Sequence, residues 1–341
     1  MKNKPNYTRS SNERNCDMVN KMNRFPRVMV FGSTGYIGQV LMAFLRYEIK
    51  KYHPSFQIRG VTHNDCDITN REQVMDLIHT WQPTHVFNLA AKADTEWCEK
   101  HFIEALHVNM LGAMTLRDVC AALGVHFTHF SSGCIYKDDG VYHKEEDKIV
   151  ARCQYAQTKR LTDMIMEPHK NEFLTIRMRQ PFSAYWHPRN ILAKLATYEA
   201  LIQEDNSMSC LEDCLPRVLW LALTGKTGIW NLTNGGSITP YRVGVLLYAH
   251  NRRKFLPKSI EYRDLLAQMS CVRVNTLVSC DKFEKESFGV FAPMDCVEDA
   301  VIRSINCAKS VVDYSIEDYP QNPSWEALRR AIIGDVSAND K

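Results

Sequence analysis

The chain has 341 residues, 45% hydrophobic and 24% charged, with a formal net charge of +3. That balance is ordinary for a soluble globular protein, and no run of Lys and Arg interleaved with aromatics suggests a nucleic-acid partner. No apolar stretch approaches the roughly 18 residues of a membrane span, so no membrane partner is expected either.

The first 25 residues are polar, lack the apolar core of a secretion signal and read as a disordered extension. Arg27–Phe31 is a short apolar run suited to a strand buried on both faces. Ile37, Val40, Leu41, Phe44 and Leu45 then recur at helical spacing. Phe56–Val61 reads as a second strand, and Asp67–Asn70 opens a helix with Val74, Leu77 and Ile78 inward. His85–Ala90 is the next strand, followed by a helix from about 100 to 122 that ends at Gly124. His126–Phe130 is a further strand and 154–167 a further helix. Strand and helix alternating at this interval predict an α/β fold, a Rossmann-like doubly wound parallel sheet.

Beyond residue 180 the pattern is broken by Pro181, Pro188 and Pro216, with Gly228–Asn234 a strand leading to a turn at Gly235 and Gly236. The expected division is a nucleotide lobe over 26–180 and a smaller C-terminal substrate lobe over 181–330, interleaved with the first. The 12 cysteines are dispersed, as free thiols of a reducing cytoplasm would be. Cys210 and Cys214 stand one helical turn apart without a second ligand pair nearby, so no metal is expected.

Gly32-Ser-Thr-Gly35-Tyr-Ile-Gly38 falls between the first strand and helix. Gly32 allows a tight turn, Gly35 lets the backbone approach a pyrophosphate, and Gly38 lets helix and strand pack closely. The helix N-terminus offers N–H groups and partial positive charge to the phosphates. The second strand runs out through Thr62 and His63 with no carboxylate before Asp65, and Arg59 is near. This favours NADPH and leaves NADH open. Asp67 and Ile68 are adenine-side candidates, Asp67 also reading as a helix cap.

Tyr155 and Lys159 stand at i, i+4 on one helix face. A phenol with its ordinary pKa near 10 is a weak acid–base catalyst at neutral pH, and an adjacent ammonium favours its phenolate. The preceding strand leads into Ser132, whose hydroxyl leaves the carboxyl edge where ligands of open α/β sheets bind. Ser132 and Tyr155 together could hold a substrate carbonyl oxygen.

With these residues the chain resembles the extended short-chain dehydrogenase/reductase family. Within it the sugar-nucleotide 4-reductases are most similar: plant-type UDP-4-keto-6-deoxyglucose 3,5-epimerase/4-reductases of rhamnose synthesis, and dTDP-4-dehydrorhamnose reductases. The matching segments include Pro83–Asn88, Trp97–Glu99, Asn109 with Gly112, Leu116–Cys120, Ser132–Tyr136, Lys144–Asp147, Pro188–Asn190, Asn206–Met208 and Thr227–Asn234. The resemblance covers roughly residues 26 to 300. It implies an NADPH-dependent 4-keto reductase and 3,5-epimerase acting on a UDP- or dTDP-linked 4-keto-6-deoxy sugar. Ser132, Tyr155 and Lys159 would be its triad, and Asn109 would support the helix and proton relay. Cys134 and Lys194 would be the epimerising acid–base pair, with His187 as an alternative to Lys194. Thr34, Tyr36, Ile37, Ala90 and Ala91 join the glycines, Tyr155 and Lys159 as expected cofactor contacts. Arg189, Asn190 and Arg273 are expected to bind the nucleotide sugar, and a homodimer is a possible assembly. Two alternatives stay open: a non-catalytic regulatory subunit resembling the methionine adenosyltransferase beta subunit, and a GDP-fucose synthase-like epimerase/reductase.

Overall fold

The structure, a computed structural model, describes residues 26–49, 54–308 and 323–333. The extension expected over residues 1–25 lies outside them. Six strands form the central sheet: β1 (Arg27–Phe31), β2 (Gln57–Val61), β3 (His85–Asn88), β4 (His126–Ser132), β5 (Leu174–Met178) and β6 (Gly228–Leu232). Every neighbouring pair is parallel, in the order β6-β5-β4-β3-β1-β2. The order reverses direction between β1 and β3, which opens a crevice at the carboxyl ends of those strands.

A parallel sheet must be covered on both faces, and the alternation of apolar side chains meets that need. Val28 and Val30 of β1 join one core with helices α1 (Tyr36–Phe44) and α5 (Leu211–Leu223). Met29 and Phe31 point the other way, into a core built with α2 (Arg71–Trp81) and α3 (Ala113–Leu123). Between α3 and α5 in the chain lies α4 (Gln154–Met166), which carries Tyr155 and Lys159. The doubly wound α/β expectation is met.

Local boundaries differ from the expected ones for identifiable reasons. The cap of α2 is Asn70, whose side chain accepts from the N–H groups of Glu72 and Gln73 at 3.1 Å each. Asp67 is not the cap, because its carboxylate turns onto Thr69, accepting from N at 2.9 Å and from Oγ1 at 2.8 Å. The helix expected over 100–122 breaks at His101, and residues His107–Gly112 form a π-helical turn before α3. Gly124, with φ of 63°, ends α3 in the left-handed region.

The second half of the chain does not build a contiguous lobe. A separate core joins Phe182, Leu192 and Met208 to Ile238, Leu247 and Val301. Yet α5 and β6, from the middle of this stretch, pack into the central sheet. The helix Pro323–Ile333 returns as well, Trp325 stacking on Phe44 with ring centroids 4.2 Å apart. Among the described residues no helix is long and apolar enough to cross a membrane.

All five residues of β5 are buried, including Arg177, whose Nε meets Asp163 Oδ2 of α4 at 2.8 Å. The same guanidinium donates to Tyr136 Oη at 2.6 Å and to the Glu145 carbonyl at 2.9 Å. Asp163→Ala leaves that charge buried without its carboxylate. A loss of about 3–5 kcal/mol in unfolding free energy is expected, measured from urea denaturation curves.

Candidate active site

Gly32 directly follows β1 and has φ of 76°. A Cβ there would lie 2.6 Å from Ala90 N and 2.7 Å from Leu89 C, so only glycine fits between this turn and the loop after β3. A Cβ at Gly38 would strike the Gly32 carbonyl, which explains the third glycine. Gly35 caps α1 without a side-chain hydrogen bond, so no protein side chain competes for the first-turn N–H groups. Ala90 N donates to Asn88 Oδ1 at 3.1 Å, holding the opposite wall. Thr34 is exposed at the turn, Ile37 packs toward the core, and Ala91 is half-buried after Ala90. These features fit a dinucleotide pyrophosphate.

At the tip of β2 the carboxylate of Asp65 is already engaged. It accepts from Thr62 N and Oγ1 at 2.7 Å each, and these bonds hold it below the usual carboxylate range. Asp67, spent on Thr69, is likewise turned onto its own loop. Ile68 is buried against Gly112, where a Cβ would come within 2.6 Å of its Cδ1.

The carboxyl end of β4 carries Ser132, whose Oγ accepts from Cys134 N at 3.3 Å and hydrogen-bonds the Tyr155 side chain. Tyr155 lies in the first turn of α4, just after the cap residue Cys153. Lys159, one turn later, is 4% exposed and donates to the Phe130 carbonyl at 2.8 Å. Burial pushes the Tyr155 phenol well up, and the neighbouring thiols Cys134, Cys98 and Cys153 push the same way. Burial brings Lys159 down to about 8, with Asp163 opposing. Desolvation therefore works against the phenolate that Lys159 was expected to favour. Tyr155 rests as a protonated donor.

Asn109 occupies the π turn and is buried. Its Oδ1 accepts from Lys92 N at 2.7 Å, and its Nδ2 donates to Lys92 O at 3.0 Å and Thr158 Oγ1 at 2.9 Å. One amide thus ties the loop after β3 to α4, and π turns recur where a helix must present such a group.

Cys134 sits in a short turn, Gly133–Ile135, and packs in an apolar cluster with Ala156, Val274, Cys153 and Tyr155. Burial raises its pKa, while Ser132, Arg179 and Lys159 oppose the rise. Lys194 is exposed at the end of the short helix Ile191–Leu195. Desolvation and then Arg273 lower its pKa, Arg189 adding to this and Asp94 and Glu96 opposing. Arg273 Nη2 reaches across to Glu96 Oε1 at 3.9 Å. Arg189, Lys194 and Arg273 therefore share one charged mouth with Asp94 and Glu96.

Asn190 does not line that mouth. It is fully buried, donating to the carbonyls of Ser183 and Tyr185 at 2.7 and 2.9 Å and capping Leu192 N at 3.1 Å. Its role is to shape the loop that presents Arg189. His187 stacks on Tyr36 of the glycine turn, with centroids 5.2 Å apart, and its Nδ1 accepts from Arg189 N at 3.0 Å. Tyr36 in turn donates to Ser183 Oγ at 3.0 Å.

Sequence reasoning missed Arg179, the residue after β5, which is 8% exposed. The signal was present: Arg177 in a strand buried on both faces and Arg179 just after it, before Pro181. It also missed Lys92, whose backbone Asn109 holds on both sides.

The family model described as NAD dependent epimerase/dehydratase matches residues 28–204. A bifunctional dTDP-4-dehydrorhamnose 3,5-epimerase/dTDP-4-dehydrorhamnose reductase of Arabidopsis thaliana is 30% identical over 223 residues, 62% of this chain and 71% of that protein. A trifunctional UDP-glucose 4,6-dehydratase/UDP-4-keto-6-deoxy-D-glucose 3,5-epimerase/UDP-4-keto-L-rhamnose-reductase of the same plant is 27% identical over 272 residues. That match takes in 76% of this chain but only 39% of the trifunctional protein's length. Among solved structures, the UDP-rhamnose synthase of Acanthamoeba polyphaga mimivirus superposes with a TM-score of 0.74 at 20% identity, covering 83% of this chain and 99% of that one. A Bacillus anthracis dTDP-4-dehydrorhamnose reductase in complex with NADP gives 0.72 at 15% identity, covering 83% and 98%. These two likenesses establish the fold.

The depressed pKa of Lys159 has a consequence for stability. The unfolded chain binds that proton up to about 10.5 and the folded chain only to about 8, so between them the unfolded state holds more protons. Stability should therefore rise with pH across that window. Lys159→Met should lack that part of the rise, read as the difference between the two proteins' denaturation midpoints from pH 7 to 10.5.

Proposed function

The chain belongs to the NAD dependent epimerase/dehydratase family, and from that premise we propose that it is an oxidoreductase of nucleotide sugars. Its reaction is reduction of C4 in a UDP- or dTDP-linked 4-keto-6-deoxyhexose, with epimerisation at C3 and C5, giving a nucleotide-linked L-rhamnose. The observation that supports this most is the convergence of Ser132, Tyr155 and Lys159 at the carboxyl edge of the sheet that also bears the glycine turn.

NADPH supplies the hydride when bound. The engaged carboxylate of Asp65, with Arg59 beside it, supports the phosphorylated cofactor over NADH. The Ser132 and Tyr155 hydroxyls hold the C4 carbonyl oxygen, and Tyr155 gives its proton to that oxygen as the C4–H bond forms. The protonated resting state of Tyr155 suits this direction. Lys159, down at about 8, can return a proton to the spent phenolate.

For epimerisation, the Cys134 thiolate removes the proton from a carbon flanking the ketone. The C–H bond breaks, an S–H bond forms, and the electron pair passes into an enolate held by Ser132 and Tyr155. Protonation on the opposite face by the Lys194 ammonium re-forms C–H with inverted configuration. The charged mouth of Arg189 and Arg273 suits the diphosphate of the sugar nucleotide. The cysteines are dispersed along the chain, which suits a reducing cytoplasm.

Incubation with UDP- or dTDP-4-keto-6-deoxyglucose and NADPH in deuterated water tests both halves by NMR and mass spectrometry. Reduced product with deuterium at C3 and C5 is expected. Reduction without deuterium there would remove the epimerase half, and absence of turnover with both substrates would sink the reading. Tyr155→Phe is expected to lower the reduction rate by about 10²–10⁴-fold. An unchanged rate would end the triad assignment.

A further inference from the structure

Strand β5 pairs with β4 so that Met178 stands opposite Ser132. The next residues along, Arg179 and Gly133, are therefore neighbours at the carboxyl edge. A Cβ on Gly133 would lie 3.4 and 3.6 Å from Arg179 Cβ and Cδ, so the arginine side chain runs directly behind the turn bearing Cys134. Its Nη2 donates to Asn206 Oδ1 at 2.7 Å and to the carbonyl of Val274, a member of the Cys134 cluster. Asn206 also donates to Asn275 Oδ1 at 2.7 Å, and Thr276 Oγ1 bonds the Gly133 carbonyl at 3.2 Å. The segment Asn206–Met208 noted in the sequence and residues 274–276, which follow Arg273, are thereby brought to the back of the same turn.

The guanidinium is held by neutral groups. Its Nε has no hydrogen-bond partner, and among the described residues no carboxylate forms an ion pair with it. The nearby Asp138 instead accepts from Asn275 N at 3.0 Å and from Tyr262 Oη at 3.3 Å. A buried cation hydrogen-bonded to neutral groups and outside any ion pair is costly, and an anion that forms beside it during the working cycle would compensate it. We propose that Arg179 is a positioning residue, its unpaired charge behind the Ser132–Gly133–Cys134 turn favouring the Cys134 thiolate that works on the substrate. The assignment of work to that thiolate rests on the function proposed above, but the charge effect does not.

The titratable groups around Cys134 are Tyr155 and Lys159 from α4, Cys153 at its cap and Arg179 from the end of β5. Arg179 itself feels Asp138, Arg273 and Tyr262. Burial raises the Cys134 pKa and the Arg179 charge opposes that rise.

The test is the pH dependence of Cys134 modification by methyl methanethiosulfonate, followed at the Cys134 peptide by mass spectrometry. In Arg179→Gln the midpoint should move up by about one unit or more, the scale of losing an adjacent opposite charge. Arg179→Lys should recover part of the shift. Asn206→Asp places a carboxylate where the amide now accepts from Nη2, neutralises the guanidinium without removing it, and should raise the midpoint as Arg179→Gln does. It also serves if Arg179→Gln fails to fold. Midpoints unchanged in the folded variants would overturn the proposal. Because this readout needs no substrate, it is separable from the function. If Cys134→Ala leaves deuterium incorporation intact while Arg179→Gln shifts the thiol, the assignment of Cys134 to epimerisation fails and the charge effect stands.

Discussion

An all-parallel sheet has no face to give to water, and most of this molecule follows from that constraint. Strands β1 to β4 send apolar side chains into two cores, one under α1 and α5 and one under α2 and α3, while β5 and β6 feed the first. Polar chemistry is left to the carboxyl edge. The glycine turn follows β1, the Ala90 loop follows β3, Ser132 ends β4 and Arg179 follows β5. The crossing of chain direction between β1 and β3 makes the crevice, and the Gly32–Ala90 approach sets its width.

Burial also decides the protonation states at that edge. Tyr155 and Lys159 stand on one helix face, but each is desolvated, and each is driven toward its neutral form. The phenol keeps its proton and the amine nears release at about 8. The arrangement suits donation to a developing alkoxide better than abstraction. Asn109 fixes the helix that bears both residues, and Arg177 with Asp163 fixes it again from β5.

Hydrogen bonds also cross between the glycine turn and the 183–190 loop. Tyr36 donates to Ser183, and Tyr185 donates to Gln39 at 2.7 Å. Asn190 holds that loop from inside, and Arg189 and Lys194 extend from it. Elements that would meet the cofactor and elements that would meet the sugar nucleotide are thus mechanically continuous.

The sequence by itself determined the strands, the helices and the glycine turn, because these depend on local spacing: period two or continuous apolar runs, period 3.6, and glycines where no Cβ fits. It also marked Tyr155 and Lys159 as one helix face, which is again a local property. The caps and breaks were less legible: Asn70 outcompetes Asp67 only because Thr69 captures the Asp67 carboxylate, and the π turn exists to aim Asn109 at Lys92 and Thr158. The tertiary structure alone decided the return of α5 and β6 to the first sheet, since strand partners at long separation leave no periodic trace. It alone decided that Asn190 is a buried brace, that Tyr155 stays protonated, and that Arg179 lies behind Cys134. Those three depend on desolvation and on neighbours from distant segments, which a linear pattern of residues does not encode.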